Sequence, residues 1–103
     1  MATTVTRKRI EILVDAPLVR RLTAAADAAG VKGYTILPTL SGKGASGPWS
    51  EDHVSGAATK LLFMTVTNDA AAERLVAAIV PLLDTYGLVL TVGTVEVVRG
   101  ERY

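Results

Sequence analysis

The sequence contains no cysteine and only one histidine. Without cysteine the chain has no disulfide framework and no thiolate metal site, and one histidine could not build a zinc site without several carboxylates beside it. The chain also has no large excess of positive or negative charge, because its formal net charge is +1. Apart from the triplet at residues 7–9, the basic residues are scattered, so the basic stripe that nucleic-acid binding requires is missing. We therefore expect neither a thiol-based metal protein nor a nucleic-acid-binding protein.

Long hydrophobic runs are also lacking. Residues 70–80 contain Glu73 and Arg74, and residues 88–98 reach only about half of the roughly 20 apolar residues that a membrane helix needs. No signal peptide is visible, since the apolar residues after residue 9 are interrupted by Glu11 and Asp15. The sequence predicts a cytoplasmic protein that is not inserted into a membrane.

What the sequence has in excess is apolar residues. Half of the 103 residues are hydrophobic, and the mean hydropathy is +0.36. A chain of this length forms one small domain, and such domains bury only about 60 to 68% of their unfolded surface. The excess tends to enter subunit contacts. We expect a single domain that self-associates.

The first part of the chain predicts a strand, a helix and a second strand. Residues 1–8 should be flexible, and the alternation from Arg9 to Asp15 predicts the first strand. The helix should have Asp15 as its N-cap, Pro17 in its first turn and Gly30 as its C-cap. Its apolar face consists of Leu18, Leu22, Ala25, Ala26 and Ala29. The second strand should cover residues 32–37.

Residues 38–58 predict a long loop, because they show neither helical nor strand period. Loops above about 12 to 15 residues are uncommon in compact domains and are usually functional or disordered. This loop combines a flexible glycine-rich backbone with one lysine, one tryptophan and one histidine. The residues are Gly42, Lys43, Gly44, Gly47, Trp49 and His53. We expect the loop to bind a small anion and to signal this binding to a partner protein.

The remaining chain repeats the first unit. Residues 59–67 predict a strand with two apolar faces, one with Leu62, Met64 and Val66 and the other with Leu61, Phe63 and Thr65. A second helix should start at Asn68 or Asp69, kink or restart at Pro81 and end at Gly87. Its inner stripe is Ala72, Leu75, Val76, Ile79, Leu82 and Leu83. A last strand covers residues 88–99, and residues 100–103 form a polar tail.

This order predicts an α+β fold, a ferredoxin-like βαβ-βαβ sandwich spanning residues 9–99. Right-handed crossovers place both helices on one face of a four-stranded antiparallel sheet. We expect Leu13, Leu61, Phe63 and alternate residues of the last strand to make the other face apolar as well. Self-association of sheets around a symmetry axis would cover that face.

Four short motifs then suggest a family. They are Gly33-Tyr34-Thr35 on the second strand, Gly42-Lys43-Gly44 in the long loop, Tyr86-Gly87-Leu88-Val89 before the last strand, and Val95-Glu96-Val97-Val98 followed by Arg99. In this order, over roughly residues 8–100, the chain resembles the PII-like signalling proteins, specifically the small group associated with carboxysomes and bicarbonate transport.

The resemblance implies a homotrimer with nucleotide clefts between neighbouring subunits, closed by the base of the long loop, which that family calls the T-loop. It implies a non-catalytic sensor of adenine nucleotides, in which ADP or AMP, sometimes cyclic AMP, is sensed together with bicarbonate. The regulated partner would be a bicarbonate transporter or a carboxysomal protein. Because the glycine-rich phosphate loop of nitrogen-regulating PII proteins and its lysine are absent, tight ATP binding is less expected.

The resemblance also implies residue roles. Gly42, Lys43 and Gly44 would meet phosphates and Thr35 would approach the nucleotide. The adenine or ribose would lie against Gly87 and Val89, and Arg99 and Arg102 would reach phosphates. Trp49 is a candidate anchor for a partner, because tryptophan is enriched at interface hot spots, although it could equally fold back on its own subunit.

Two alternatives stay open at the level of sequence. A CutA-type trimeric metal-tolerance protein would share the architecture, but the single histidine, the absence of cysteine and the glycine-rich loop argue against it. A small ferredoxin-like enzyme would need an acid–base pair in a pocket. Only His53 and Glu96 could serve, and they lie far apart in the chain.

Overall fold

The computed structural model describes residues 3–44, 47–50 and 60–99. The elements in these ranges are strand β1 (Thr4–Asp15), a 3₁₀ turn (Ala16–Leu18), helix α1 (Val19–Ala29), strands β2 (Thr35–Pro38), β3 (Ser41–Gly44), β4 (Gly47–Ser50) and β5 (Lys60–Thr67), helix α2 (Asp69–Tyr86) and strand β6 (Val89–Val98). Neither described helix has both the length and the hydropathy that crossing a membrane requires.

Four of these strands form one antiparallel sheet in the order β2-β5-β1-β6. This is the strand order of a ferredoxin-like domain, with the first strand of each βαβ unit at the centre. The fold class predicted from the sequence is confirmed.

The core lies between one face of the sheet and both helices. Ile10, Ile12 and Val14 on β1 are buried together with Phe63 on β5. The helices contribute Leu22, Ala26, Ala29, Ala71, Ala72, Leu75 and Ile79 to the same cluster. Because these side chains recur at period 2 on the strands and at helical spacing on the helices, one face of each element packs inward.

Local signals determine where the helices begin and end. Gly30 and Gly87 have φ of 87° and 64°, in the left-handed region that glycine adopts readily because it has no Cβ. Asn68 is the N-cap of α2, and its Oδ1 accepts a hydrogen bond from the Ala71 N–H at 2.8 Å. The Asp15 carboxylate makes no such bond, although Pro17 does lie in the first turn of the 3₁₀ segment. Asp15 instead accepts from Lys60 Nζ at 2.8 Å.

The elements differ most from the prediction in three places, and β5 and β6 differ by one residue at their ends. β1 begins at Thr4, so part of the stretch expected to be flexible is paired, with residues 4–8 opposite residues 94–98. β2 begins at Thr35, later than expected. Helix α2 runs through Pro81 without a restart, because the packing of its apolar side opposes the local cost of the missing N–H.

The predicted assignment of the sheet faces is wrong in one respect. Phe63 and Leu61 lie on the face that packs against the helices, and Phe63 is buried there. Since successive side chains alternate, Leu62, Met64 and Val66 face the other way. The second apolar face therefore exists, but on β5 these three residues form it, beside Leu13 on β1.

The long loop also differs from the prediction. Residues 41–44 and 47–50 form a two-stranded antiparallel ribbon, in which Gly42 lies opposite Trp49 and Lys43 opposite Pro48. The segment with His53 lies outside the described residues, as does the C-terminal tail with Arg102.

Candidate functional site

The sheet has a face that neither helix covers, which we call the open face. One row of apolar side chains crosses all four strands there: Leu37 on β2, Leu62 on β5, Leu13 on β1 and Val89 on β6. Leu37 and Val89, at the two edges, are 41% and 56% exposed. An apolar row of this kind within one subunit needs a further covering surface.

Thr35 lies at the start of β2, next to a cavity of about 290 Å³. The cavity is lined by Gly33, Tyr34, Thr35, Met64, Thr65 and Val66. The Thr65 hydroxyl donates to the Gly33 carbonyl at 2.6 Å, and the Tyr34 ring stacks on Phe63 with centroids 5.2 Å apart. These contacts hold the residues around Thr35 against β5. Since ligand pockets usually measure about 300 to 1,000 Å³, a nucleotide would need a second wall here.

Gly87 and Val89 lie where α2 turns into β6. β6 and β2 are the outermost strands of the sheet, and Val89 lies in the same row as Leu37. Thr35 lies two residues before Leu37, so it is about 16 Å from Val89. They share the open face but lie at opposite edges.

Arg99 lies at the far end of β6 and has a φ of 62°, a left-handed conformation that is uncommon for residues other than glycine. Arg99 is ten residue steps from Val89, which corresponds to about 33 Å at the rise of an extended strand. One subunit therefore does not bring Arg99 to the same place as Gly87 and Val89.

Gly42, Lys43 and Gly44 form strand β3 of the ribbon. The Lys43 side chain is exposed, and because side chains alternate it points to the side opposite the Trp49 ring. A Cβ atom added at Gly42 would collide with that ring. The glycine at this position is thus required by the packing of Trp49, a reason that the Gly-Lys-Gly spacing did not reveal.

The predicted site residues that the structure describes lie in four places: Thr35 at the β2 edge of the sheet, Gly87 and Val89 at the start of β6, Lys43 and its flanking glycines on the ribbon, and Arg99 at the far end of β6. Sequence reasoning missed Tyr34 and Met64 as walls of the cavity. It also missed Thr39 and Lys60, which contact Trp49. Glu96, named above as a possible acid–base group, is exposed and accepts from the Thr4 hydroxyl at 3.3 Å. No group of three or more potential metal-binding side chains occurs in residues 3–44, 47–50 and 60–99.

Comparison with known proteins decides the family. The family model of the nitrogen regulatory protein P-II matches residues 7–102. The chain belongs to the P-II family. Proteins of this family are signalling proteins, and the resemblance to PII-like proteins seen in the four sequence motifs is confirmed. A search among curated proteins found no significant sequence match.

Solved structures of PII-like proteins share the fold over nearly the whole chain. CPII from Thiomonas intermedia K12, bound to ADP, AMP and bicarbonate, superposes with a TM-score of 0.90 at 24% identity. The superposition covers 99% of this chain and 97% of the CPII chain. The same protein bound to ADP and bicarbonate gives a TM-score of 0.86 at 26% identity, and the superposition covers 99% of this chain and 98% of the CPII chain. A PII-like signalling protein from Thermus thermophilus gives 0.83 at 28% identity, covering 97% of each chain.

Proposed function

We propose that this P-II family member is a homotrimeric sensor that binds ADP or AMP between its subunits, with bicarbonate as a second ligand. Through its long loop, residues 38–58, it would regulate a partner such as a bicarbonate transporter or a carboxysomal protein. The observation that carries this proposal is the full-length likeness, at 26% identity, to CPII bound to ADP and bicarbonate.

The open face supports the homotrimer. Its apolar row Leu37, Leu62, Leu13 and Val89 is complete across the sheet, and neither described helix covers it. Burying it against other copies removes apolar area from water at about 25 cal/mol per Å². A closed ring of identical subunits covers such a face without leaving a free end.

The separation of the site residues supports ligand clefts between subunits. Within one subunit Val89 and Arg99 lie about 33 Å apart along β6, and the cavity beside Thr35, at about 290 Å³, is smaller than the pockets that usually hold ligands. In the proposed trimer, one subunit supplies Thr35 and the ribbon with Gly42, Lys43 and Gly44. Gly87 and Val89 would face the cleft from that same subunit, and the neighbouring subunit would supply Arg99 and Arg102, so that Val89 and Arg99 come from different subunits.

Lys43 would contribute most to phosphate binding. Its ammonium group is exposed on the ribbon and no described salt bridge involves it, so it can approach a phosphate without first giving up an ion pair in the described chain. Backbone N–H groups beside glycines add further donors for an anion. A charge-assisted hydrogen bond of this kind contributes about 1.5 to 3 kcal/mol.

Isothermal titration calorimetry tests the proposal. ADP, AMP, cyclic AMP and ATP are titrated with and without bicarbonate at constant pH. We expect micromolar to millimolar binding of ADP or AMP, and tighter binding with bicarbonate. Since coupling is reciprocal, bicarbonate must bind more tightly in the presence of the nucleotide by the same factor. If none of the four nucleotides binds in this range, the proposal is wrong.

Lys43→Ala supplies the residue-level test. Loss of its charge-assisted bond should weaken ADP binding by roughly 10- to 150-fold. Arg20→Ala is the control, because Arg20 is an exposed basic residue on α1, away from the ribbon. Equal ADP affinity in Lys43→Ala and wild-type protein would show that Lys43 does not contact the nucleotide.

A further inference from the structure

The single tryptophan of the chain packs against its own ribbon. Trp49 lies opposite Gly42, and the indole ring occupies the space that a Cβ at Gly42 would need. At Gly44, the other glycine on the same strand, an added Cβ would be 3.9 Å from the ring, an ordinary contact. The ring therefore lies over one position of β3, which only glycine permits.

A chain of hydrogen bonds connects this ring to the main sheet. The Trp49 Nε1–H donates to Thr39 Oγ1 at 3.0 Å, and the Thr39 hydroxyl donates to the backbone carbonyl of Lys60 at 2.6 Å. Thr39 follows β2 directly, and Lys60 is the first residue of β5. One hydroxyl thus bridges the ribbon and the start of a sheet strand.

The Lys60 side chain completes the arrangement. Its Nζ lies 5.4 Å from the centroid of the Trp49 ring, within the roughly 6 Å of a cation–π contact. The same ammonium group donates to Asp15 Oδ1 at 2.8 Å, and Asp15 is the residue opposite Lys60 in the β1–β5 pairing. The Lys60 side chain is 22% exposed, so it is fixed between an aromatic face and a carboxylate.

We propose that these five residues, Asp15, Thr39, Gly42, Trp49 and Lys60, form a Trp49 cluster that holds the ribbon against the end of the sheet. Because side chains alternate along β3, a ribbon held by the ring over Gly42 presents Lys43 on its opposite side. Trp49, Thr39 and Lys60 are then positioning residues for Lys43. This second step rests on the proposed nucleotide site, whereas the cluster itself does not.

The contacts of the cluster suit a reversible attachment. One cation–π contact, two hydrogen bonds and one partly exposed ion pair are each modest interactions in water. The buried apolar core contributes nothing to the ribbon, since none of residues 41–44 and 47–50 belongs to it. A ligand that contacts the ribbon through Lys43 would shift the ribbon from this held position only as far as it binds another position more tightly.

Tryptophan fluorescence of the ligand-free protein tests the cluster directly, because Trp49 is the only tryptophan. Gly42→Ala should displace the ring, Thr39→Val should remove both hydrogen bonds, and Lys60→Met should remove the cation but keep the apolar stem. Each should shift the emission to longer wavelength and increase quenching by iodide. Gly44→Ala is the matched control and should leave both readings as in the wild type, since its Cβ meets the ring at ordinary distance.

Circular dichroism shows whether each variant remains folded, so that a changed emission is not the result of unfolding. Wild-type emission and iodide quenching in all three folded variants, Gly42→Ala, Thr39→Val and Lys60→Met, would show that the ring is not held as proposed.

A double-mutant cycle tests the positioning of Lys43. Thr39→Val should weaken ADP binding roughly 3- to 10-fold, although Thr39 is not assigned a nucleotide contact. The loss caused by Lys43→Ala should be smaller in the Thr39→Val background, because the lysine is then no longer held in place. Additive losses would overturn the positioning role. If wild-type protein binds no ADP, the proposed function and this role fall together, while fluorescence still decides whether the cluster exists.

Discussion

The two faces of strand β5 differ in how completely one subunit covers them. On the helix side, Phe63, Thr65 and Thr67 are at most 2% exposed. On the open face, Leu62 and Met64 on the same strand are only half-buried. Both sets of residues suit a strand, so the difference does not come from local propensity. It comes from the helices, which reach only one side.

This difference separates folding from assembly. The helix side is a finished core, in which every apolar residue of the cluster has partners within the subunit. The open face has an apolar row but no described cover. Substitutions on the helix side should therefore change the folding of the subunit, and substitutions on the open face should change its association.

The largest effect should come from Phe63→Ala. Phe63 is 1% exposed and stacks with Tyr34, so its removal leaves a cavity as well as lost burial, and such substitutions cost about 3 to 5 kcal/mol. Urea denaturation, followed by circular dichroism at several protein concentrations, measures the free energy of unfolding. We expect the loss to be similar at each concentration, because the cavity lies within one subunit. A loss below about 1 kcal/mol would contradict a closed helix-side core.

The open face is tested by Leu62→Glu. Leu62 lies between Leu13 and Leu37, and an unpaired carboxylate buried there in an assembly would cost about 3 to 5 kcal/mol. Analytical ultracentrifugation should then show a shift from the proposed trimer toward the 10.8 kDa subunit. Leu40→Glu is the control, because Leu40 is 70% exposed and lies outside the open face. Unchanged assembly of Leu62→Glu would mean that the open face is not the interface.

The sequence revealed the features that local chemistry determines. The glycines at residues 30 and 87, the cap at Asn68 and the alternation along β1 and β5 were all predicted, because each depends on a few neighbouring residues. The four-stranded order follows from the sequence of elements and the handedness of their crossovers.

The features that depend on distant residues were not predictable in the same way. Both faces of β5 are apolar, so alternation could not tell which one the helices cover. The ribbon was missed because its eight residues, 41–44 and 47–50, include three glycines and a proline, a composition depleted in strands. Its pairing depends on the packing of Trp49 over Gly42, a cross-strand contact that hydrophobic periodicity in the sequence does not reveal. The candidate site was only partly predictable for the same reason, since its groups lie on separate edges of the sheet.

The smallest effect, from Asn68→Ala, would sharpen the comparison between the two faces. The substitution removes the Oδ1 that accepts from the Ala71 N–H and leaves the open face untouched. The loss of an N-cap costs about 1 kcal/mol, which urea denaturation should detect as a lower midpoint with an unchanged slope. Sedimentation and ADP affinity should equal those of the wild type, because the cap only anchors the helix that covers the other side. A change in assembly as large as that of Leu62→Glu would show that folding and association are not separated by face.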